Sequence, residues 1–233
     1  NAPSVIALLS FEDKLFASTL YSDVFLSLDS GDSWTPLNTA MSLVFGFTHL
    51  DGNLYASTLS QGIYKSIDQG QTWSQINNGL SETNIRSIGK SETDIYAGTV
   101  SGAIYKRSSS GGSWNLVNNY ELLANVGSLS SNNSVLFAAT HGVTLYSSAN
   151  GGESWTQPSG IVTVEIRSLL SSNQYVFAGT DMLGIYKSSD NGSTFTQCNN
   201  GLTSAWFNAF AFCQGNLLAG SGEEGIFISS NLG

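Results

Sequence analysis

Four acidic side chains could carry out hydrolysis in this sequence. Glu165, Asp181, Glu223 and Glu224 are predicted to share one face of the fold, by the repeat alignment described below. Two carboxyl groups that flank a glycosidic bond can act as general acid and as base or nucleophile. Exposed acidic residues more often only solubilise a protein. We therefore predict no catalytic residue and keep a glycoside hydrolase as the alternative.

A second set of residues has the chemistry of a binding site. An indole face can stack on a sugar ring, and charged or amide groups beside it can bind hydroxyl groups. The predicted ligand-binding residues are Trp206, Arg167, Glu165, Asp181, Asn208 and Arg86. Arg86 would face Arg167 and favour an acidic group on a glycan or protein ligand. An equally strong interpretation of Trp206 is structural: its ring would fill the space at the connection between the fifth and sixth repeat units.

Metal, cofactor and disulfide chemistry find no support in the sequence. His49 and His141 are predicted on opposite faces, and no cluster of Cys and His has the spacing of a metal site. Cys198 aligns with apolar outer-strand positions, and Cys213 aligns with the end of an inner strand. Because several strand spacings separate such positions, a disulfide is out of reach. We predict two free thiols, no metal and no cofactor.

The amino-acid composition excludes several classes of binding partner for this protein. The chain has 233 residues, a net charge of -9 and only 11% charged residues. This acidic balance argues against nucleic acid and anionic membrane surfaces, and no apolar run is long enough to insert in a membrane. The low charge, with abundant Ser, Asn and Gly, is typical of secreted proteins. We predict an extracellular, cell-surface or periplasmic protein.

An internal repeat of about 40 residues must position these side chains. Five aromatic residues recur at this spacing: Trp34, Trp73, Trp114, Trp155 and Phe195. A glycine stands three residues before each of them, and Gly233 is a sixth at the same offset. In three repeats an aspartate precedes the glycine by two residues, at Asp29, Asp68 and Asp190. The shared pattern is S-x-D-x-G-x-x-W.

Each repeat unit contains short apolar runs separated by Gly, Ser and Asn, which indicates strands rather than helices. Four strands in about 41 residues is typical of one blade of a β-propeller. We label them A to D from the inside outward. The units span residues 4–42, 43–83, 84–124, 125–164, 165–205 and 206–233. We predict a single all-β domain, a six-bladed propeller closed between units one and six, whose last blade lacks its outer strand.

The motifs at 27–34, 66–73 and 188–195 resemble Asp-box, or BNR, repeats. Such repeats occur in sialidases, xyloglucan-cleaving enzymes, sortilin-type receptors, a photosystem assembly factor and secreted bacterial propellers. The resemblance implies the propeller fold and places the motif at the turn between strands C and D, away from the ligand face. It implies little about function.

The enzymes of this family are a poor match. Sialidases bind their substrate with three arginines, but Arg107 replaces the motif serine at a C–D turn, so Arg86, Arg107 and Arg167 cannot converge. Xyloglucan-cleaving enzymes use a cleft between two propellers, which one propeller cannot form. We predict a non-catalytic binding or scaffolding module that is part of a longer secreted protein.

The motif residues are expected to stabilise the fold. The glycine permits a turn with positive φ, the aspartate accepts hydrogen bonds from its own loop, and the aromatic ring fills space between strands. Burying one ring removes about 150–250 Å² from water, which outweighs a single hydrogen bond. Replacing Trp73 should therefore destabilise the protein more than replacing Asp68.

Overall fold

The computed structural model describes residues 4–21, 24–37, 39–118, 124–132, 135–142 and 145–232. Over these ranges the regular structure consists of 22 β-strands in six antiparallel sheets, and no helix occurs in them. Within each sheet the strands are hydrogen-bonded in chain order. The prediction of an all-β protein with six blades is confirmed. Gly233, the glycine of the sixth motif, lies outside the described residues.

Three blades belong to a first compact unit, residues 1–100 with 105–116. Blade one contains β1 (Val5–Phe11), β2 (Lys14–Thr19), β3 (Val24–Ser27) and β4 (Thr35–Leu37). Blade two contains β5 (Val44–Leu50), β6 (Asn53–Thr58), β7 (Gly62–Ser66) and β8 (Ser74–Gln75). Blade three contains β9 (Ile85–Lys90), β10 (Asp94–Thr99), β11 (Ile104–Ser108) and β12 (Gly111–Leu116).

The second compact unit, residues 101–104 with 117–233, contains the other three blades. Blade four contains β13 (Val126–Asn132), β14 (Val135–Thr140) and β15 (Leu145–Ser148). Blade five contains β16 (Ile166–Ser172), β17 (Tyr175–Thr180), β18 (Ile185–Ser188) and β19 (Thr196–Gln197). Blade six contains β20 (Phe207–Cys213), β21 (Asn216–Ser221) and β22 (Ile226–Ser229).

The second strand of a blade is the most deeply buried. In β10, β14 and β17 every residue after the first is buried. Their sequences, such as DIYAGT and YVFAGT, combine apolar residues with Ala, Gly and Thr rather than alternating apolar and polar residues. A strand covered on both faces needs this composition, and the small residues allow neighbouring sheets to approach closely.

Two blades lack a regular fourth strand among the described residues. In blade four a single bridge between Ser147 and Thr156 takes its place. Pro158 explains this, because the residue at the equivalent position in blade two, Ile76, donates its backbone N–H to the carbonyl of Ile63, and proline has no N–H. In blade six β22 is the last strand, as the sequence predicts.

The motif turns form local hydrogen-bond networks. In blade two, Asp68 accepts hydrogen bonds from the Ser66 hydroxyl at 2.7 Å and from the Thr72 backbone N–H at 2.9 Å. The buried Ser66 hydroxyl oxygen also accepts the N–H of Gly70, which has φ of +88°. The corresponding turns of blades one and five use Asp29 and Asp190 in the same way. The expected role of the aspartate as an acceptor within its own loop is confirmed.

Blade three departs from this pattern. Arg107 occupies the serine position, and its Nε donates to the carbonyl oxygen of Gly112 at 2.8 Å. Strand β12 begins at Gly111, so the turn is part of a regular hairpin. A positive φ at both Gly111 and Gly112 makes this tight connection possible.

The aromatic residues of the motif differ in burial. Trp114 and Phe195 are each 2% exposed, and Trp73 and Trp155 are partly buried. Trp34 is 38% exposed, so the expectation that every motif ring fills space between strands is wrong for blade one. The ring of Trp114, by contrast, packs towards the preceding blade, where its Nε1 donates a hydrogen bond to the carbonyl of Ile76.

Candidate functional site

Hydrogen bonds define the two ends of blade five. At one end the backbone N–H of Asp181, between β17 and β18, donates to the carbonyl of Glu165, just before β16. At the other end the N–H of Asn191, in the C–D turn, donates to the carbonyl of Gln174. The predicted ligand-binding residues Glu165 and Asp181 therefore share the end opposite the motif turn.

A β-bulge lies at this end of every blade. In each innermost strand the register of the pairing with the next strand shifts around the second residue. The bulge residues are Ile6, Phe45, Arg86, Gly127, Arg167 and Asn208. Because a bulge twists a strand locally and redirects one side chain, bulges are frequent beside functional sites. Three of the six predicted ligand-binding residues stand on these bulges.

Arg167 is the centre of a charged cluster in the second unit. Its guanidinium lies 3.1 Å from Oε1 of Glu165 and 3.8 Å from Oδ2 of Asp181. The same Glu165 oxygen lies 2.7 Å from Nδ1 of His141 in blade four. These four side chains, which we call the Arg167 cluster, are between 20% and 36% exposed. They combine hydrogen-bond donors and acceptors at a surface that a ligand can reach.

His141 is the member of the cluster that sequence reasoning missed. The repeat alignment places it at the B–C position of blade four, next to the start of blade five, so the signal was present in the sequence. The bulge residue of blade four, Gly127, leaves room for the imidazole. A Cβ atom at Gly127 would lie 2.8 Å from Nε2 of His141.

Trp206 precedes the first strand of blade six and lies against the B–C turn of the same blade. A Cβ atom at Gly222 would lie 2.5 Å from Cδ2 of the indole, and the Gly222 N–H donates to the Trp206 carbonyl. The side chain is nevertheless 37% exposed. Trp206 thus covers a glycine with part of its surface and presents the rest to solvent.

Trp206 of blade six holds the position of Glu165 in blade five, and Asn208 holds the position of Arg167. Ser168, which follows Arg167, has its hydroxyl 3.4 Å from the carbonyl oxygen of Phe207, which follows Trp206. Asn208, on the bulge of β20, is exposed. Trp206, Asn208 and the Arg167 cluster therefore lie at the same end of neighbouring blades.

The remaining candidate residues have other surroundings. The Arg86 guanidinium lies over the ring of Phe45, the bulge residue of blade two, at 4.0 Å from the ring centroid. Arg86 belongs to the first unit, and its predicted position facing Arg167 stays a prediction. Glu223 and Glu224 are exposed in the B–C turn of blade six, where Glu224 accepts a hydrogen bond from Thr203.

Both cysteines are free thiols, as predicted. Cys198 is partly buried, and burial raises the pKa of its thiol, whereas Cys213 is exposed. Within the described ranges, no group of three His, Cys, Asp or Glu side chains has the arrangement of a metal site. Those ranges also contain no helix that is long and apolar enough to cross a membrane.

Solved structures share this architecture. The extracellular domain of BT4673 from B. thetaiotaomicron matches with a TM-score of 0.77 and 19% identity, over 97% of this chain and 32% of that chain. YCF48 bound to a D1 peptide matches with a TM-score of 0.71 and 15% identity, over 97% of this chain and 77% of that one. The chain has a β-propeller fold.

A designed protein, Ika8, also matches, with a TM-score of 0.72 and 12% identity, over 97% of this chain and 70% of the designed one. No family model and no curated protein sequence matches the chain. At these identities the likeness concerns the fold alone.

Proposed function

We propose that this protein is a non-catalytic extracellular binding module that binds a carbohydrate at the Arg167 cluster, beside Trp206. The observation that carries the proposal is the cluster itself. An arginine on a strand bulge is held between two carboxylates, at the end of the blades away from the repeated turns. Charge of this kind has no counterpart at the same positions of blades one and two, which hold Leu20, Leu59, Ile6 and Phe45.

The chemistry of the cluster suits a polyhydroxylated ligand. Carboxylates accept hydrogen bonds from sugar hydroxyl groups, and the guanidinium and imidazole can donate to ring and hydroxyl oxygens. The exposed part of the Trp206 indole offers a face on which a sugar ring can stack. Arg167 stands on a strand bulge, and Glu165, Asp181, His141 and Trp206 each directly precede or follow a strand, so the site needs little ordering when it binds.

We further propose that the motif turns are Asp-box repeats. The Ser, Asp and Gly positions form the same network in blades one, two and five, and the motif lies away from the cluster. An extracellular location agrees with the BT4673 neighbour and with the low content of charged residues.

A glycan array probed with the purified protein tests the proposal. The array should show binding to a defined set of glycans, and Arg167→Ala should weaken it about tenfold or more, the loss expected when a charged hydrogen bond of about 1.5–3 kcal/mol is removed. Trp206→Ala should weaken binding to a similar degree without changing the melting temperature. A large fall in melting temperature would assign Trp206 a structural role instead.

Lys187→Ala is the matched control for Arg167→Ala. Lys187 lies in β18 of the same blade, where its ammonium packs over the ring of Tyr175, and its loss changes the net charge by the same amount. Its variant should bind glycans like the parent protein. Equal losses in both variants would indicate non-specific electrostatic attraction and contradict the proposed site.

A protein ligand is the main competing outcome, and one structural neighbour is itself described as bound to a peptide. A pull-down from an extracellular extract that depends on Arg167, with no glycan binding, would replace carbohydrate by protein as the ligand class. Turnover of a panel of fluorogenic glycosides or xyloglucan, lost in Glu165→Gln or Asp181→Asn, would overturn the non-catalytic assignment.

A further inference from the structure

A cavity of about 310 Å³ opens at the outer edge of blade six. Its lining includes Ile185, Cys198 and Leu202 from blade five and the segment after it, and Leu217, Ala219 and Phe227 from blade six. The same side chains belong to the apolar cluster packed between these two blades. The cavity is therefore a continuation of an established interface between blades, and none of its lining residues belongs to the Arg167 cluster.

The other blades show what occupies this position. The motif ring of one blade packs on the fourth strand of the preceding blade. The Trp114 Nε1 of blade three donates to the carbonyl of Ile76 in blade two at 2.6 Å. In blade four, a Cβ atom at Gly152 of the motif turn would lie 2.8 Å from Cγ2 of Val117 and 3.7 Å from Cζ2 of Trp155. Cys198, three residues after Phe195, holds the place of Ile76 and Val117 in blade five, and it lines the cavity.

A second repeated contact completes the fourth strand. Asn77, Asn118 and Asn199 follow the residues just named, and the side-chain oxygen of each accepts a backbone N–H at the start of the third strand, from Ile63, Ile104 and Ile185. Their amide groups donate to the carbonyls of Gln61, Gly102 and Leu183. Blades two, three and five thus share the sequence pattern aromatic-x-x-apolar-Asn.

Blade six has the third-strand half of this arrangement, which supplies the backbone N–H donor. Ile226 pairs with Gly220 in the register in which Ile185 pairs with Gly179, so its N–H is directed to the outer edge, as in blade five. No strand among the described residues pairs with that edge of β22. Ile185 is 4% exposed, but Ile226 is 69% exposed. Ile226 is thus an exposed apolar residue at a position where the equivalent residue of blade five, Ile185, is buried.

We infer that the cavity and the outer edge of β22 form a binding site for an extended polypeptide segment of the pattern aromatic-x-x-apolar-Asn. The segment adds as a fourth antiparallel strand, as in other cases of β-strand addition. Its aromatic ring enters the cavity against Cys198 and Leu202. Its asparagine side chain accepts the Ile226 N–H and donates to the Glu224 carbonyl.

A peptide with the sequence of the outer strand of blade two can test this inference. A synthetic peptide with the sequence of residues 71–77, QTWSQIN, contains the full pattern from blade two. Its binding is read from the rate at which N-ethylmaleimide alkylates Cys198 in the whole 233-residue chain, measured by mass spectrometry. Occupation of the cavity should shield this thiol. At a peptide concentration ten times Kd the rate should fall about tenfold, because only the free protein reacts.

Cys213 is an internal control, since it is exposed and does not line the cavity. Its rate should not change. Peptides with alanine in place of the tryptophan or of the asparagine should protect Cys198 at least about tenfold less well, which corresponds to about 1.4 kcal/mol. The experiment does not involve Arg167, so its result is independent of the glycan array.

Three results would overturn the inference. These are an unchanged alkylation rate of Cys198 with the full peptide, an equal slowing of Cys198 and Cys213, and equal protection of Cys198 by the alanine peptides and the parent peptide. Protection that rises with protein concentration in the absence of peptide would assign the site to a second copy of the chain and would also reject the proposed segment.

Discussion

The two ends of blade five differ in whether their side-chain contacts recur in other blades. At the C–D turn, Ser188 and Asp190 repeat the hydrogen bonds of blades one and two almost atom for atom. At the other end, Arg167, Glu165 and Asp181 form contacts that no other described blade repeats. The hydrogen bonds of the turn end therefore repeat in blades one, two and five, whereas the side chains at the bulge end differ between blades.

This difference follows from what each end contacts. Every C–D turn reverses the chain within a few residues, and its backbone N–H and C=O groups need hydrogen-bond partners within the turn. The bulge end does not have to form such a turn, and in blade five the register of the strand pairing shifts around Arg167. Its side chains can therefore vary between blades without loss of the fold. The comparison predicts large stability effects at the turns and small ones at the cluster.

Trp114→Ala should have the largest effect on stability. Trp114 is 2% exposed and is held by a hydrogen bond to Ile76, so its removal leaves a cavity between blades. We expect a loss of about 3–5 kcal/mol, the range for large buried aromatic residues. Urea unfolding at equal m-value measures it.

Trp34→Ala is the matched control, because Trp34 has the same place in its motif but is 38% exposed. Its loss should cost about 1 kcal/mol, typical of a partly exposed side chain. If both variants lost the same stability, the packing of each ring on the preceding blade would not be the source of its effect.

Acidification should lower the stability of the protein through the C–D turns, by less than Trp114→Ala and by more than Arg167→Ala. Hydrogen bonds from Ser33, Thr72 and Thr194 lower the pKa of Asp29, Asp68 and Asp190 from 3.8 to about 2. Since the folded-state pKa is the lower one, these carboxylates stabilise the protein above about pH 4, and that contribution disappears as the pH falls towards 2.

Melting temperatures measured between about pH 6 and about pH 2 test this sign. A variant with all three aspartates replaced by asparagine should melt lower than the parent at neutral pH and lose less on acidification. An identical acid response in the variant would show that other groups control the acid stability.

Arg167→Ala should have the smallest effect on stability, about 0.5 kcal/mol or less, because partly exposed ion pairs contribute little. Lys187→Ala should be similar. Urea midpoints of the two variants within error of the parent would support the contrast with Trp114. A loss as large as that of Trp114→Ala would make the cluster a structural element and would remove the distinction between the two ends.

Sequence reasoning succeeded where a residue's role is local. The C–D turns at Asp29, Asp68 and Asp190 were predicted with their acceptor roles because all their partners lie within four residues along the chain. The outer strand of blade four was overpredicted, although Pro158 is visible in the sequence, because its effect depends on the register of the neighbouring strand.

The candidate site was predicted in part. The repeat alignment placed Glu165, Arg167 and Asp181 at one end of blade five, and the structure brings their charged groups together. His141 was missed as their partner, because its contact with Glu165 joins residues 24 positions apart in different blades. The exposure of Trp34 was also missed, because the burial of a motif ring depends on residues that are distant in the sequence.

The sequence by itself determined the repeat, the all-β class, the turn chemistry and the end of each blade on which a residue lies. These follow from periodicity and from hydrogen bonds between near neighbours in the chain. Only the tertiary structure decided which rings are covered, that a bulge presents Arg167, and that a cavity remains beside Cys198. These features depend on how adjacent sheets pack, and packing is a property of pairs of blades that no single repeat encodes.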